Sequence, residues 1–426
     1  MNVAIVGAGY AGVAAGAALA DANVPVTIYE AASTVGGRAR RVEIEGTPLD
    51  NGMHILLGAY RETLALMRKV GVAPEEALLR LPLDWDMHEC FRLRAAPLPA
   101  PLHLAVGLLR AHGASLRERW SAARFLMSLR RTHFTIARDI SVATLLKEHA
   151  QGETLVRHLW EPLCLAALNT PMREASARVF LNVLRDGLDA RREASDLLLA
   201  RRDLSALLPD PAARYIRERG GDVRLRSPVR EVQHVRGRFR VATRDGSAEY
   251  THVICATSPH HVSHVIGRLP GIASLTATIE ALRYEPIYTV YLQYDASVRL
   301  PKAMIGLADR TSHWLFDRGA IGGQHGLIAG IISAGAAYAG VAHEALAQRV
   351  HDDVTRVAGD VPAPTWWRVI AEKRATFACT VNLERPAQRA PLPGLLLAGD
   401  YTAGEYPGTL ESAVRSGLAC ARAVLA

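Results

Sequence analysis

Short apolar runs punctuated by glycine dominate the start of the chain. Val3 to Val6 form one such run, Gly7, Gly9 and Gly12 follow, residues 13–20 are alanine-rich, and Val26 to Tyr29 form a second run. Apolar runs of this length bounded by turn residues predict buried strands, and the alanine-rich stretch predicts a helix. The opening therefore reads strand, tight turn, helix, strand. Near the other end, Leu395–Ala398 predicts another buried strand, with a helix from about Thr409. Between them, residues 222–257 alternate polar and apolar around an Arg-Asp-Gly-Ser turn, the pattern of hairpin strands. Strand signals recur at Arg41–Glu45, 286–294 and 327–333, a helix is predicted over TLALMRKVGV and near 341–356, and 76–204 reads as mainly helical. One early stretch mixes characters: in LDNGMHILLGAY (49–60), polar Asp50, Asn51 and His54 adjoin the apolar strip Ile55-Leu56-Leu57.

At 426 residues the chain exceeds what one hydrophobic core usually organises, so two domains are expected. With 49% hydrophobic and 22% charged residues it reads as an ordinary globular protein, not a disordered one. No run reaches the roughly 18–20 unbroken apolar residues of a membrane helix. The nearest, GLIAGIISAGAAYAGVA (326–342), reads as a buried strand and a small-residue turn. MNVAIVGAGYAG lacks the basic leader of a signal peptide. Cys90, Cys164, Cys255, Cys379 and Cys420 are widely spaced and odd in number, which predicts reduced thiols in a cytoplasmic chain. Neither cysteines nor histidines show metal-ligand spacing, so no metal is expected. The net charge of +8 comes mostly from arginine. Composition bias explains much of it. Nucleic acid is not an expected partner, because the arginines do not interleave with aromatics in a recognisable module.

The glycines of the opening have the spacing G-x-G-x-x-G. Gly7 permits the sharp exit from the strand, Gly9 lets the backbone approach a pyrophosphate, and Gly12 lets the helix pack on the sheet. The amides that open the helix, at Tyr10, Ala11 and Gly12, face that anion. Glu30 closes the second strand, where a carboxylate accepts hydrogen bonds from ribose hydroxyls and repels a 2′-phosphate. Strand, glycines, helix, strand and acid in this order predict a dinucleotide site. Six residues beyond Glu30 comes Gly36-Gly37-Arg38: two glycines for a second close backbone pass, and an arginine able to reach the pyrophosphate.

This acid–GGR arrangement resembles the FAD-binding amine oxidase and phytoene desaturase superfamily. The resemblance implies an α/β fold: a Rossmann-type (GR2-like) FAD-binding domain with an inserted α+β substrate-binding domain. The FAD domain is expected from 1–75, 205–265 and 385–426, and the substrate domain from 76–204 and 266–384. It further implies that Asp400, after Gly399, meets the ribityl–phosphate region of FAD. Val229 lies against the adenine, and the Thr409 and Leu410 amides at the final helix N-terminus face the flavin pyrimidine, where the helix dipole stabilises negative charge. Glu411 and Arg415, at i,i+4 on that helix, read equally well as a simple ion pair.

Three stretches narrow the likeness: LDNGMHILLGAYRETLALM (49–67), LWEPLCLAALNTP (159–171) and AGDYTAGEYPGTLESAVRSG (398–417). Together they resemble the squalene-associated FAD-dependent desaturases, read as hydroxysqualene dehydroxylases of squalene and hopanoid biosynthesis, and the likeness runs over essentially the whole chain. Met53 departs from it, standing where that family has glutamine. The reaction so implied protonates an allylic hydroxyl, loses water and quenches the cation with hydride from reduced FAD. It needs an acid, a dry tunnel and a long-chain isoprenoid substrate; the electron donor is not legible. His54 is the favoured acid, oriented by Asp50, with Glu161 and Glu405 as rivals. Ile55 to Leu57 are expected to line the cavity, and Trp160, Tyr288, Tyr291 and Trp314 to offer aromatic faces to the cation. LRAAPLPAPLHLAVGLLRAHGASLRERW (93–120), apolar with flanking arginines, is a candidate for peripheral contact with an anionic membrane at the inner face, or else a helix of the substrate domain. Rival readings are a carotenoid or phytoene-type desaturase running the flavin oxidatively, an amine oxidase, and a non-catalytic prenyl-lipid carrier resembling Rab GDP-dissociation inhibitors.

Overall fold

The computed structural model describes residues 1–189 and 191–426. Its nucleotide half is a parallel sheet in the order Asp222–Arg224, Val26–Tyr29, Val3–Val6, His252–Cys255, Leu395–Leu397. These strands come from distant parts of the chain; the three central and C-terminal ones are apolar enough to be covered on both faces, whereas the edge strand Asp222–Arg224 buries only Val223. Helix Tyr10–Asp21 packs between the final helix Leu410–Leu425 and helix Pro209–Glu218. Gly12 makes the first turn of that helix sterically feasible, since a Cβ there would lie 1.9 Å from the Gly7 carbonyl oxygen.

The other half is built on a mixed sheet ordered Trp366–Phe377, Tyr284–Gln293, Leu327–Ile332, Trp314–Asp317, Met304–Gly306, Asp84–Met87, Phe91–Arg94. The last two strands form a hairpin inside the stretch expected to be mainly helical. DWDM and FRLR each alternate over only four residues, too short to stand out against the helical patterns that follow.

A small antiparallel sheet, Ile55–Leu57 with Leu197–Ala200 and Leu78–Leu81, forms the wall between the two cores. Strand alternation divides its side chains. Leu56, Leu198 and Ala200 join the core around the nucleotide sheet, whereas Ile55, Leu197 and Leu199 join the core on the far side. Leu56 is therefore corrected: it is fully buried behind the wall and does not line the cavity.

Tyr288 and Tyr291 are corrected as well. Tyr288 packs with the residues under helix His343–Ala358. Tyr291 is buried, and its hydroxyl donates to the Asp50 carbonyl at 3.0 Å. Residues 288–292 of the strand that carries them are buried on both faces, so these two tyrosines serve packing.

Candidate functional site

Two glycine turns build the nucleotide cradle. Gly9 bridges Gly36, and a Cβ on Gly37 would lie 3.2 Å from the Gly9 Cα. Glu30 stands beside them, accepting from the Ala8 amide at 2.7 Å and the Ala32 amide at 2.8 Å. The segment that carries buried Val229 runs alongside, with the Ser227 amide donating to the Glu30 carbonyl at 2.8 Å. Tyr10 turns its side chain away from the cradle, its hydroxyl donating to the Leu204 carbonyl at 2.9 Å, so only its backbone is offered to an anion.

The GGR and GD elements meet although 362 positions separate them: Arg38 donates to Asp400 at 2.5 Å and to the Ala375 carbonyl at 2.5 Å. Arg38 is pushed to a higher pKa: burial opposes its charge, but Asp400 outweighs burial. Gly399 is tied to the final helix by its amide, which donates to Ser416 Oγ at 2.8 Å. Arg385 clamps the loop beyond, donating to the carbonyls of Asp400, Tyr401, Gly404 and Tyr406. Thr409 caps helix Leu410–Leu425 by accepting from the Ser412 amide at 3.1 Å. Glu411 and Arg415 pair at 2.7 Å, as their spacing predicts, and Glu411 is buried with its other contacts on Thr63 and the Glu62 amide. An open glycine cradle at a helix N-terminus, an acid at the ribose position and a charge pair beside them fit a flavin dinucleotide.

An apolar cavity begins at Thr409. Its near lobe, about 690 Å³ of open space, is bordered by Ile55, Tyr60, Trp314, Asp186 and Tyr406. Its far lobe, about 760 Å³, is bordered by Trp160, Leu104, Leu108 and Ser195. Leu57, Trp85, Leu163, Val183, Gly187 and Leu197 border both lobes, so the two run together. Joined end to end and lined almost wholly by apolar side chains, the two lobes suit an elongated apolar molecule. Trp85 and Trp314 meet edge to face with ring centroids 4.7 Å apart.

The acids chosen from sequence lie elsewhere. His54 does not line either lobe; its Nδ1 is 3.0 Å from the Gly52 carbonyl. Burial lowers its pKa and nearby Arg38 lowers it further, against the Gly52 hydrogen bond, so the ring is neutral at neutral pH. Asp50 does not orient it, because its carboxylate accepts from the Leu204 amide at 2.7 Å. Glu161 is off the cavity wall, with Asp309 and Arg173 as its charged neighbours. Helix Glu161–Leu168 presents Leu163, Ala166 and Ala167 to the cavity, and position 161 falls on another face. Glu405 is at the surface, accepting from Arg185 at 3.0 Å. Met53 lies against Arg318, its sulfur 3.9 Å from the guanidinium. Of the expected lining residues, Ile55, Trp160 and Trp314 do face the cavity. Sequence reasoning missed Asp186, Tyr406, Trp85 and Tyr60. Asp186 stands two residues past the amphipathic helix Ala177–Leu184, and Tyr406 sits in a stretch already singled out, one residue from Glu405.

Asp50 carries a stability prediction. Burial raises its carboxyl from 3.8 to about 6, with the Leu204 amide and Arg318 pulling the other way. Folding thus favours the protonated form, and that stability is present at acid pH and lost as pH rises from 3.8 to about 6. At about 1.36 kcal/mol per unit the loss is on the order of 3 kcal/mol. Asp50→Asn keeps an acceptor for Leu204 and removes the buried charge. Thermal unfolding at pH 8 should occur at a higher temperature than in the wild type, with the pH dependence between 4 and 7 flattened; an unchanged pH profile would contradict this.

The cysteines are free, and among the described residues no group of acids, histidines and cysteines is placed to hold a metal. Residues 10–425 match the model of the flavin containing amine oxidoreductases. The chain is 29% identical to hydroxysqualene dehydroxylase of Zymomonas mobilis over 425 residues, covering 97% of this chain and 96% of that protein. It is 25% identical to a probable zeta-carotene desaturase of Synechococcus elongatus, covering 100% and 98%. Among solved structures, a putative protoporphyrinogen oxidase from Exiguobacterium superposes with a TM-score of 0.71 at 18% identity, covering 99% of this chain and 98% of that one.

Proposed function

Because the chain belongs to the flavin containing amine oxidoreductase family and is an FAD-dependent oxidoreductase, we propose that it reductively removes the hydroxyl of hydroxysqualene to give squalene. The observation that carries this reading is the apolar cavity running from the final helix N-terminus into the far lobe. Residues 1–75, 205–265 and 385–426 carry FAD in this account, and 76–204 with 266–384 supply the rest of the substrate cavity, which Ile55, Tyr60 and Tyr406 complete from the FAD segments. Reduced FAD, when bound, supplies the hydride that replaces the departing oxygen. The chain itself orients the cofactor through Glu30, Arg38 and Asp400, and excludes water with the leucines and tryptophans of the cavity. Trp85, Trp314, Tyr60 and Tyr406 offer aromatic faces worth roughly 0.5–2 kcal/mol each to a nearby cation. Anaerobic reduced protein mixed with hydroxysqualene should form squalene, identified by mass; recovery of unchanged alcohol would end the proposal.

A zeta-carotene type desaturation is the second reading, favoured by the Synechococcus relative. It asks the same cavity to accept a polyene and the same cofactor to run oxidatively.

A substrate of this class resides in a bilayer, and the far lobe lies behind an apolar surface. Leu104 and Leu108 face the lobe, while Leu102 and Leu109 of the same helix are exposed. Leu98, Leu116, Trp120 and Met127 extend that exposed set. Arg94, Arg110, Arg117, Arg124 and Arg131 in the same segment are exposed as well, and Glu118 is the one acid in 93–131. Among the described residues no helix is long and apolar enough to cross a membrane. We propose that this face lies on an anionic bilayer. The protein should co-sediment with phosphatidylserine liposomes, and Leu116→Asp with Trp120→Asp should lower the bound fraction at least tenfold. Equal sedimentation of the variant would contradict the docking face.

A further inference from the structure

The geometry points to a proton-delivering pair at the near lobe: Tyr406 hands a proton to the departing hydroxyl, and Asp186 refills it. This rests on the dehydroxylation proposed above. Among the described residues that border the near lobe, Asp186 is the one carboxylate. Its placement follows from the π-helical turn Arg185–Asp189, which widens the end of helix Ala177–Leu184. The Tyr406 hydroxyl donates to Asp186 Oδ2. Arg185 Nε donates to Asp186 Oδ1 at 2.7 Å, and its Nη2 reaches Glu405 at 3.0 Å, on the exposed rim. Arg415 stands 4.4 Å over the Tyr406 ring and is itself paired to buried Glu411. Arg385 fixes the backbone by donating to the Tyr406 carbonyl at 2.7 Å. The pair thus has one end in an apolar cavity beside Thr409 and the other near solvent.

Asp186 faces Arg185, Tyr406 and Arg415; Tyr406 faces Asp186, Arg415 and Glu411. Burial pushes the Asp186 carboxyl up, but the hydrogen bonds from Arg185 and Tyr406 outweigh it and leave it below the ordinary value. Burial and then Asp186 raise the Tyr406 hydroxyl, which therefore stays protonated. In this resting arrangement the Tyr406 proton points at a carboxylate. Once Asp186 takes a proton from the rim, the hydroxyl is free to turn into the cavity. Asp186 then gives its proton to Tyr406 Oη as Tyr406 gives its own to the substrate oxygen. The carbon–oxygen bond breaks with its electron pair on oxygen, water leaves, and the allylic carbon takes hydride with reduced flavin as the two-electron donor. The tyrosine ends neutral, and the Asp186 carboxylate is left beside the cation it helped to form.

The test compares wild type, Tyr406→Phe and Asp186→Asn in anaerobic single turnovers with hydroxysqualene and with the corresponding allylic chloride. Chloride departs without a proton, so it separates acid catalysis from positioning. Both variants should keep FAD, slow hydroxysqualene about 10²- to 10⁴-fold, and slow the chloride far less. The wild-type rate should fall about tenfold per pH unit between pH 6 and 8 for the alcohol only, as expected when a small protonated fraction is required. That pH comparison needs no variant and stands if a variant does not fold. Wild-type turnover with either variant unimpaired, both substrates slowed alike, or a flat alcohol profile would overturn the pair while leaving the dehydroxylation intact. No squalene from wild type at any pH would instead fail the underlying reading, and the pair with it.

Discussion

Arg38→Ala is expected to yield a protein that elutes without flavin. The guanidinium makes the charged contact to Asp400, whose side chain is only 9% exposed, and it also holds the Ala375 carbonyl. Removing it takes the hydrogen-bonded counter-charge from a largely buried carboxylate and leaves Arg385 as the nearby cation; the cost falls below the about 3–5 kcal/mol of a fully buried pair, because the Arg38 side chain is 28% exposed. The loss falls where the GGR and GD elements meet, at the edge of the nucleotide cradle. Arg38→Lys should recover little, because a single ammonium cannot serve both acceptors with the planar fork. Flavin absorbance after gel filtration and the thermal midpoint check both variants. A yellow Arg38→Ala protein of unchanged midpoint would remove the ion pair from the cofactor site.

Ala167→Trp is expected to slow turnover about 100-fold while leaving the flavin in place. Ala166 and Ala167 face the near lobe from helix Glu161–Leu168, and Leu163 one turn earlier borders both lobes. An indole at position 167 would occupy the space where an elongated substrate passes toward Thr409. A loss of about 100-fold in kcat/KM, equivalent to about 2.7 kcal/mol, is expected with normal flavin content and normal dithionite reduction. Undiminished turnover would show that substrate does not use this lobe.

The reach of the sequence can be judged residue by residue. Val3–Val6, the glycine turn, Val26–Tyr29 and Glu30 were legible because strand, turn and helix are each set by local rules, and their order is diagnostic. Gly36-Gly37-Arg38 and Asp400 were legible as separate motifs, but their ion pair is tertiary and left no local mark. The cavity was half legible. Ile55, Trp160 and Trp314 face it, whereas Leu56 does not, because the strip is a strand and alternates. Tyr288 and Tyr291 misled because an aromatic in a central strand looks the same whether it faces ligand or core. His54 drew attention as a polar residue beside an apolar strip, yet the chain turns its ring to the Gly52 carbonyl. Asp186 and Tyr406, 220 positions apart, are joined only by the fold, and the π-helical turn that aims Asp186 has no readable sequence period.

The central claim is the redox direction of an apolar, FAD-served cavity. The measurement that tests it most directly is an anaerobic stoichiometry. Dithionite-reduced protein, freed of excess reductant, is mixed with hydroxysqualene, and oxidised protein is mixed in parallel with zeta-carotene. The account predicts one squalene formed for each flavin reoxidised, and no flavin bleaching in the parallel tube. Bleaching by the polyene, with hydroxysqualene unchanged by the reduced protein, would contradict it and make the protein a desaturase.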